Sequence, residues 1–295
     1  MLFIFLKKVK YTQVRIFVCL IIVFVLKAQI FAIDTNKIIQ MNVKALELSV
    51  TDSNQAISNL LEALQISNKK SYTNGVITSL ANLGLIEIRY GHYRNALDYY
   101  NRAMSVAKKA NKHNEVARIS IDIGKTFNLL GDIQNAVFHF SQAESIFSKN
   151  ANNKGLYDTY QAYSTLYLAN NNYYQALQYG LKAFDISKTI SDEQQIVMSL
   201  INLGQIYALL DQKSKAIEKY NTAIEIAGNI KEITYLPILY INLGTLLREN
   251  QQYDEAITNY LLANKFYKQN NNLTGEISSL IELGKTNLIQ NNIDK

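Results

Sequence analysis

Cysteine, proline and tryptophan are nearly missing from this chain of 295 residues, which has one cysteine, one proline and no tryptophan. The lone Cys19 lies in an apolar run near the N-terminus. Beyond residue 32 there is no thiol, which excludes disulfides, a thiolate nucleophile and cysteine-ligated metal there. With Pro237 as the only proline and 12 glycines, breakers are too few for a fold of many short strands and tight turns. Alanine, leucine, isoleucine, asparagine and tyrosine are abundant instead, which favours long helices. An excess of one charge is missing too, outside one segment. The net charge is +6, but Lys7, Lys8, Lys10, Arg15 and Lys27 fall within the first 32 residues, where there is no acidic residue. The rest carries 25 basic and 24 acidic side chains, so the basic signal belongs to that segment and nucleic-acid binding loses its main support.

The basic segment has its own layout. Lys7, Lys8, Lys10 and Arg15 precede an uninterrupted apolar run at 16–26, followed by Lys27 and a stretch ending in Ala32. This is the arrangement of a secretory signal peptide. Eleven apolar residues in a helix span roughly 17 Å, short of the roughly 30 Å hydrocarbon core of a bilayer. Cleavage after Ala32 is the favoured expectation. The alternatives are an uncleaved signal anchor, with a membrane tether through residues 16–26, and a buried first helix of a cytosolic protein. In the first two cases the remainder is exported, to the periplasm or the cell exterior.

Beyond residue 76 the sequence repeats itself every 40 residues. Asn-Leu-Gly at 82–84 returns as Asp-Ile-Gly at 122–124, Asn-Leu-Gly at 202–204 and 242–244, and Glu-Leu-Gly at 282–284. Ala162-Tyr163-Ser164 is in register but has serine in the glycine place. Ala96, Ala136, Ala176, Ala216 and Ala256 stand twelve residues after that column. Tyr100, Phe140, Gly180, Tyr220 and Tyr260 follow four further on, then Ala103, Ala143, Ala183, Ala223 and Ala263 after three more. Small residues at fixed spacing allow helices to cross closely, and large ones fill the gaps between them. A helix pair of this kind cannot bury its apolar face alone and needs neighbours on both sides.

These columns resemble the tetratricopeptide repeat, and the resemblance covers nearly everything after residue 32. Gly91-His92-Tyr93 and Gly131-Asp132-Ile133 fill the family's turn, and Phe127, Tyr167 and Tyr207 its aromatic column. The family's usual repeat is shorter and ends in a proline that is absent here, so longer helices are expected. The resemblance implies an all-α fold, a right-handed superhelical solenoid of antiparallel helix pairs with about six and a half repeats. The expected organisation is a signal segment at 1–32, a capping repeat at 33–76, and an array at 77–295 whose repeats start near 77, 117, 157, 197, 237 and 277. The last repeat supplies a first helix over Gly275–Gln290 without its second. Leu280, Leu283 and Leu288 should then form an apolar face, either a docking surface or the mark of a chain that once continued. Pro237 should mark the start of a first helix or a kink in it.

Family members bind extended peptides or partner helices on the surface lined by first helices. The residues that the resemblance points there, two before the glycine column, are Asn82, Asp122, Ala162, Asn202, Asn242 and Glu282. An asparagine amide can donate to a peptide carbonyl and accept from its N–H at once, so Asn82, Asn202 and Asn242 are candidates for a ladder along a peptide backbone. Arg89, Arg118, Lys125, Gln205, Arg248 and Lys285 flank them. Arg118, Asp122 and Lys125 share one helix face, where a local ion pair on a charged surface explains them better than ligand contact does. The carboxylate-clamp subclass is rejected, because its first position holds Ala81, Ile121, Gln161, Ile201 and Ile241; those isoleucines suggest apolar groove walls instead.

His92, His113 and His139 have no metal-ligand spacing, and no phosphate-binding glycine loop or nucleophile-elbow motif occurs. No cofactor, metal, nucleic acid or catalytic constellation is expected. The expected function is an exported, non-enzymatic interaction scaffold or sensor module that binds a peptide or partner helix. The alternative is the peptide-receptor part of a truncated bacterial signal transducer, since the array resembles the exported repeat regions of such proteins.

Overall fold

A computed structural model describes residues 35–230 and 234–293, with side chains described through residue 290. The candidate signal segment lies outside the described residues. Among the described residues there are helices and turns but no strand, and no helix is long and apolar enough to cross a membrane. Helix α1 is described over 35–48. It is followed by α2 (Ser53–Lys69), α3 (Thr73–Arg89), α4 (Tyr93–Lys109) and α5 (His113–Leu129). Then come α6 (Ile133–Lys149), α7 (Asn153–Ala169), α8 (Tyr173–Ile190), α9 (Glu193–Leu209) and α10 (Lys213–Asn229). The last three are α11 (Leu236–Glu249), α12 (Tyr253–Gln269) and α13 (Leu273–Ile293). The chain forms two compact units, the first ending at Leu130 and the second beginning at Gly131. Within each, consecutive helices pack side by side, the short connections between them, mostly of three residues, forcing an antiparallel course.

The 40-residue period is two half-periods of one kind. Helices mostly of 17 residues alternate with short turns that each hold one residue of positive φ, at Ser71, Gly91, Asn111, Gly131, Ala151, Asn171, Ser191, Asp211, Gln251 and Asn271. Only two of these are glycine, although the left-handed region costs an L-residue about 1 kcal/mol or more. The turn closes with a hydrogen bond from the N–H after the left-handed residue back to the final helical turn. Examples are Tyr72 N to Ser67 O at 2.8 Å and Asn172 N to Tyr167 O at 2.8 Å. These are Schellman closures, which satisfy carbonyls that a helix end leaves unpaired. The next helix then starts at once, and at α2, α6, α7, α8 and α9 an Asp or Asn side chain accepts from the N–H three residues on. The longer helices expected from the long period are therefore present. The first helices begin at 73, 113, 153 and 193, four residues ahead of the starts that the columns suggest. Pro237 stands in the first turn of α11 and marks a start, where its missing N–H is harmless.

Packing follows the columns. All twelve alanines at the two alanine positions, from Ala56 and Ala63 to Ala256 and Ala263, are completely buried, so these positions admit nothing larger. At Gly84, Gly204 and Gly244 the ring of Tyr100, Tyr220 or Tyr260 lies against the glycine. A Cβ there would come within 2.9, 2.5 and 2.9 Å of the ring, so each glycine is a hole for an aromatic knob. The exception at Ser164 has a matching exception at Gly180. The aromatic is removed where the glycine is removed, and a Cβ on Gly180 would lie 3.3 Å from the Ser164 hydroxyl oxygen. One residue before each, Tyr163 and Tyr179 stack at 4.3 Å between ring centroids.

Candidate partner-binding surface

In the first unit, the first helices α1, α3 and α5 carry the expected residues. Asn82 is half-buried, and its amide donates to the Asn42 carbonyl oxygen at 3.0 Å. Asn42 donates in turn to the Ser79 hydroxyl at 3.1 Å and to the Ile38 carbonyl at 2.9 Å. Asn42 lies 40 residues before Asn82, so the asparagine column begins one repeat earlier than the sequence reading placed it. That signal was available, but α1 has Lys44 in the glycine place, which hid the register. Asn42 and Asn82 form one wall of a cavity of about 220 Å³ whose other lining includes Ile38, Val43 and Tyr72. Arg89 donates to the Ser49 hydroxyl, again a partner one repeat back. Arg118 pairs with Glu115 at 2.9 Å and lies 3.8 Å from Asp122, which is the local ion-pair arrangement; Lys125 is exposed on the same helix.

In the second unit, Asn202 on α9 donates to the Gln161 side-chain oxygen at 2.8 Å and to the Ser164 hydroxyl at 3.0 Å, both on α7. Gln161 donates to the Tyr157 hydroxyl at 2.9 Å, and Tyr157 donates to the Gln195 carbonyl at 3.2 Å. Both amide protons of Asn202 are therefore committed to a network that ties α9 to α7. Asn242 differs. It is half-buried, and its side chain makes no hydrogen bond among the described residues. Ala162 is buried and carries no polar group, which breaks the column between Asp122 and Asn202. Gln205 is exposed.

Arg248 bonds Glu282 at 2.5 Å, and Lys285 bonds the other oxygen of the same carboxylate at 2.7 Å. Partial burial pushes the Glu282 carboxyl up. The hydrogen bonds and charges of Lys285 and Arg248 outweigh that effect and hold it below its ordinary value. Arg248 and Lys285 are thus committed to α13's own carboxylate.

The isoleucine column is corrected by the structure. Ala81 and Ile121 are buried, and Ile201 and Ile241 pack against the core of the second unit, so these positions face inward more than toward a groove. The apolar residues exposed on the first helices stand three positions earlier. Met198 and Ile238 occupy the same register on α9 and α11 and are 45% and 46% exposed. Four residues on from each come Asn202 and Asn242, one helical turn along the same face. The surface of the second unit therefore offers two apolar contacts beside one spoken-for amide and one free amide.

The sequence reading also missed a tyrosine cluster on α7 and α8. Tyr160, Tyr163, Tyr167 and Tyr179 gather with ring centroids between 4.3 and 6.3 Å apart, and the Lys182 ammonium sits 4.8 Å over the Tyr179 ring. Burial, and then the nearby Glu144 carboxylate, pushes the Tyr160 hydroxyl up to about 12. These rings pack in pairs and serve as structure.

Tetratricopeptide repeat models match residues 38–109 and 157–229, and a further one matches 238–270, together more than half of the chain. A curated relative is response regulator aspartate phosphatase H of Bacillus subtilis, 24% identical over 244 residues that cover 78% of this chain and 64% of the relative. The chain thus spans just under two thirds of that protein's length. Among solved structures, a signal transduction ATPase with a tetratricopeptide repeat sensor from Pyrococcus horikoshii superposes with a TM-score of 0.65 at 17% identity. It covers 82% of this chain and 37% of that one. NprR in complex with its cognate peptide NprX gives 0.57 at 15% identity, over 81% of this chain and 68% of that one. At such identities these structures establish the fold alone, while the repeat models cover most of the helices described above. The chain belongs to the tetratricopeptide repeat family.

Proposed function

We propose that this chain is an exported, non-catalytic interaction module that holds an extended peptide or a partner helix across α9 and α11. The observation that carries the reading is Asn242. It is a half-buried amide with no hydrogen-bond partner among the described residues, beside exposed Ile238 and in register with Asn202 and Met198. An amide in that setting gains by meeting a peptide bond, while Met198 and Ile238 gain by losing water. Met198, Asn202, Gln205, Ile238 and Asn242 include no acid, base or nucleophile, which supports binding without catalysis. The structural neighbour that holds its cognate peptide supports a peptide as ligand. The neighbour whose repeats are a sensor supports a second reading, the receptor part of a larger transducer.

Peptides selected from a random displayed library against the full chain supply the probe. Asn242→Ala is expected to weaken them about 5- to 30-fold, the worth of one or two hydrogen bonds, with helicity unchanged. Asn202→Ala acts differently, lowering stability by roughly 1 kcal/mol because it strips the network to α7. Selection of no peptide, or unaltered affinity in Asn242→Ala, refutes the reading.

Export rests on Lys7 through Ala32. N-terminal sequencing of the protein from envelope and culture fractions is expected to begin at Ile33. A chain starting at Met1 and sedimenting with membranes indicates an uncleaved anchor, and one confined to the cytosol overturns export.

A further inference from the structure

Met198 and Ile238 stand at the same register on two helices that run in the same direction, with antiparallel α10 between them in sequence. Helices α9 and α11 are in contact and share one core, in which Val197, Leu200 and Leu203 pack with Leu239 and Leu243. Packed helix axes lie about 8–10 Å apart, so the two exposed apolar side chains repeat at about that distance. The column is apolar only there, because it holds Asp158 on α7 and Ser278 on α13. Asn202 and Asn242 form a second row about 6 Å away, four residues along each axis. The Asn202 side-chain oxygen accepts no hydrogen bond among the described residues, and Asn242 has its whole amide to offer.

Three backbone shapes compete to span these two rows. A β-strand brings residues i and i+2 to one face only about 6.7 Å apart, overshoots with i+4 at about 13 Å, and sends i+3 to the opposite face. An α-helix reaches the distance at i and i+7, about 10.5 Å, but its backbone N–H and C=O groups are bonded to each other and leave nothing for Asn242. A polyproline II segment brings i and i+3 to the same face about 9.3 Å apart and has no internal hydrogen bonds, so it meets both rows at once. Resting on the surface proposed above, we propose that its ligand is a peptide segment in the polyproline II conformation. Its apolar side chains stand three positions apart, one against Met198 and one against Ile238. Proline fits between the two, since its ring fixes φ close to the value that this conformation needs.

The test uses the full chain and short fluorescein-labelled peptides that carry two leucines on an alanine and serine background, with binding read by fluorescence anisotropy. Leucines three apart are expected to bind at least about fivefold more tightly than leucines two, four or seven apart, since a misplaced leucine leaves one apolar contact unmade. Proline at one of the two positions between the leucines should hold or raise the affinity, whereas it breaks a strand or a helix. Met198→Ala should erase the preference for three over two, because one apolar contact then remains. Equal or tighter binding at any other spacing, loss of binding with proline, a preference that persists in Met198→Ala, or no binding of the three-spaced peptide overturns the proposal. Asn242→Ala separates this failure from failure of the surface itself. If peptides of every spacing bind alike and all weaken in that variant, the surface stands and the spacing falls. If that variant binds them all as tightly as the parent chain does, the surface falls as well.

Discussion

A Gly204→Val variant is expected to lose about 4 kcal/mol of stability, the sum of overpacking and a displaced ring. The added Cβ would stand 2.5 Å from one carbon of the Tyr220 ring, 2.7 Å from a second and 2.9 Å from a third. Tyr220 has no way to retreat, being 2% exposed with the completely buried Ala216 and Ala223 on the turns of α10 to either side. Either the ring leaves its hole and opens a cavity, or α9 and α10 move apart and uncover the alanine columns. A loss of this size is a large fraction of the roughly 5–15 kcal/mol that holds a typical domain together. Helix propensity works weakly the other way, since valine is a better helix former than glycine by a few tenths of a kcal/mol. Urea unfolding followed by circular dichroism reads the difference, and a loss under about 1 kcal/mol would show that the glycine column is not a steric requirement.

The second large effect concerns the repeat that breaks the pattern. Gly180→Tyr restores the family's aromatic to α8, yet it is expected to destabilise by about 2–3 kcal/mol, because the hole it needs is occupied. A Cβ at 180 already lies 3.2 Å from Leu203, 3.3 Å from Ser164 and 3.4 Å from Ile206. Ser164→Gly alone is expected to cost about 1–2 kcal/mol, through lost hydrogen bonds to Ala176 and from Asn202 and through glycine's poor helix propensity. The double variant should be more stable than the sum of the two losses by at least about 1 kcal/mol, since ring and hole are then matched. Strict additivity would mean that the two exceptions are unrelated.

Both effects depend on how the columns were read. The alanine, glycine and aromatic positions were legible because each repeat states them anew. A contact between two helices of one pair forces the same residue sizes at the same spacing wherever the pair recurs. The paired exception at Ser164 and Gly180 was visible as two separate irregularities, and only their distance shows them to be one. The binding surface was less legible. Asn82, Asn202 and Asn242 each begin the same Asn-Leu-Gly tripeptide, yet Asn82 and Asn202 donate to residues on the preceding first helix while Asn242 has no such bond among the described residues. Its counterpart one repeat back is Asn202 on α9, and Ile201 at the place of Gln161 offers no acceptor.

By itself the sequence determined the all-α fold, the 40-residue period and the family, because periodic burial writes periodic residue size into the chain. It also placed the start of α11 at Pro237, because proline constrains the backbone locally. Tertiary structure alone decided which amides are satisfied and that the isoleucine column turns inward. The physical reason is common to both. A side chain's free energy depends on what lies across from it, and here the groups across from it are 40 residues away, on a neighbouring helix whose residue at that point is not fixed by the repeat.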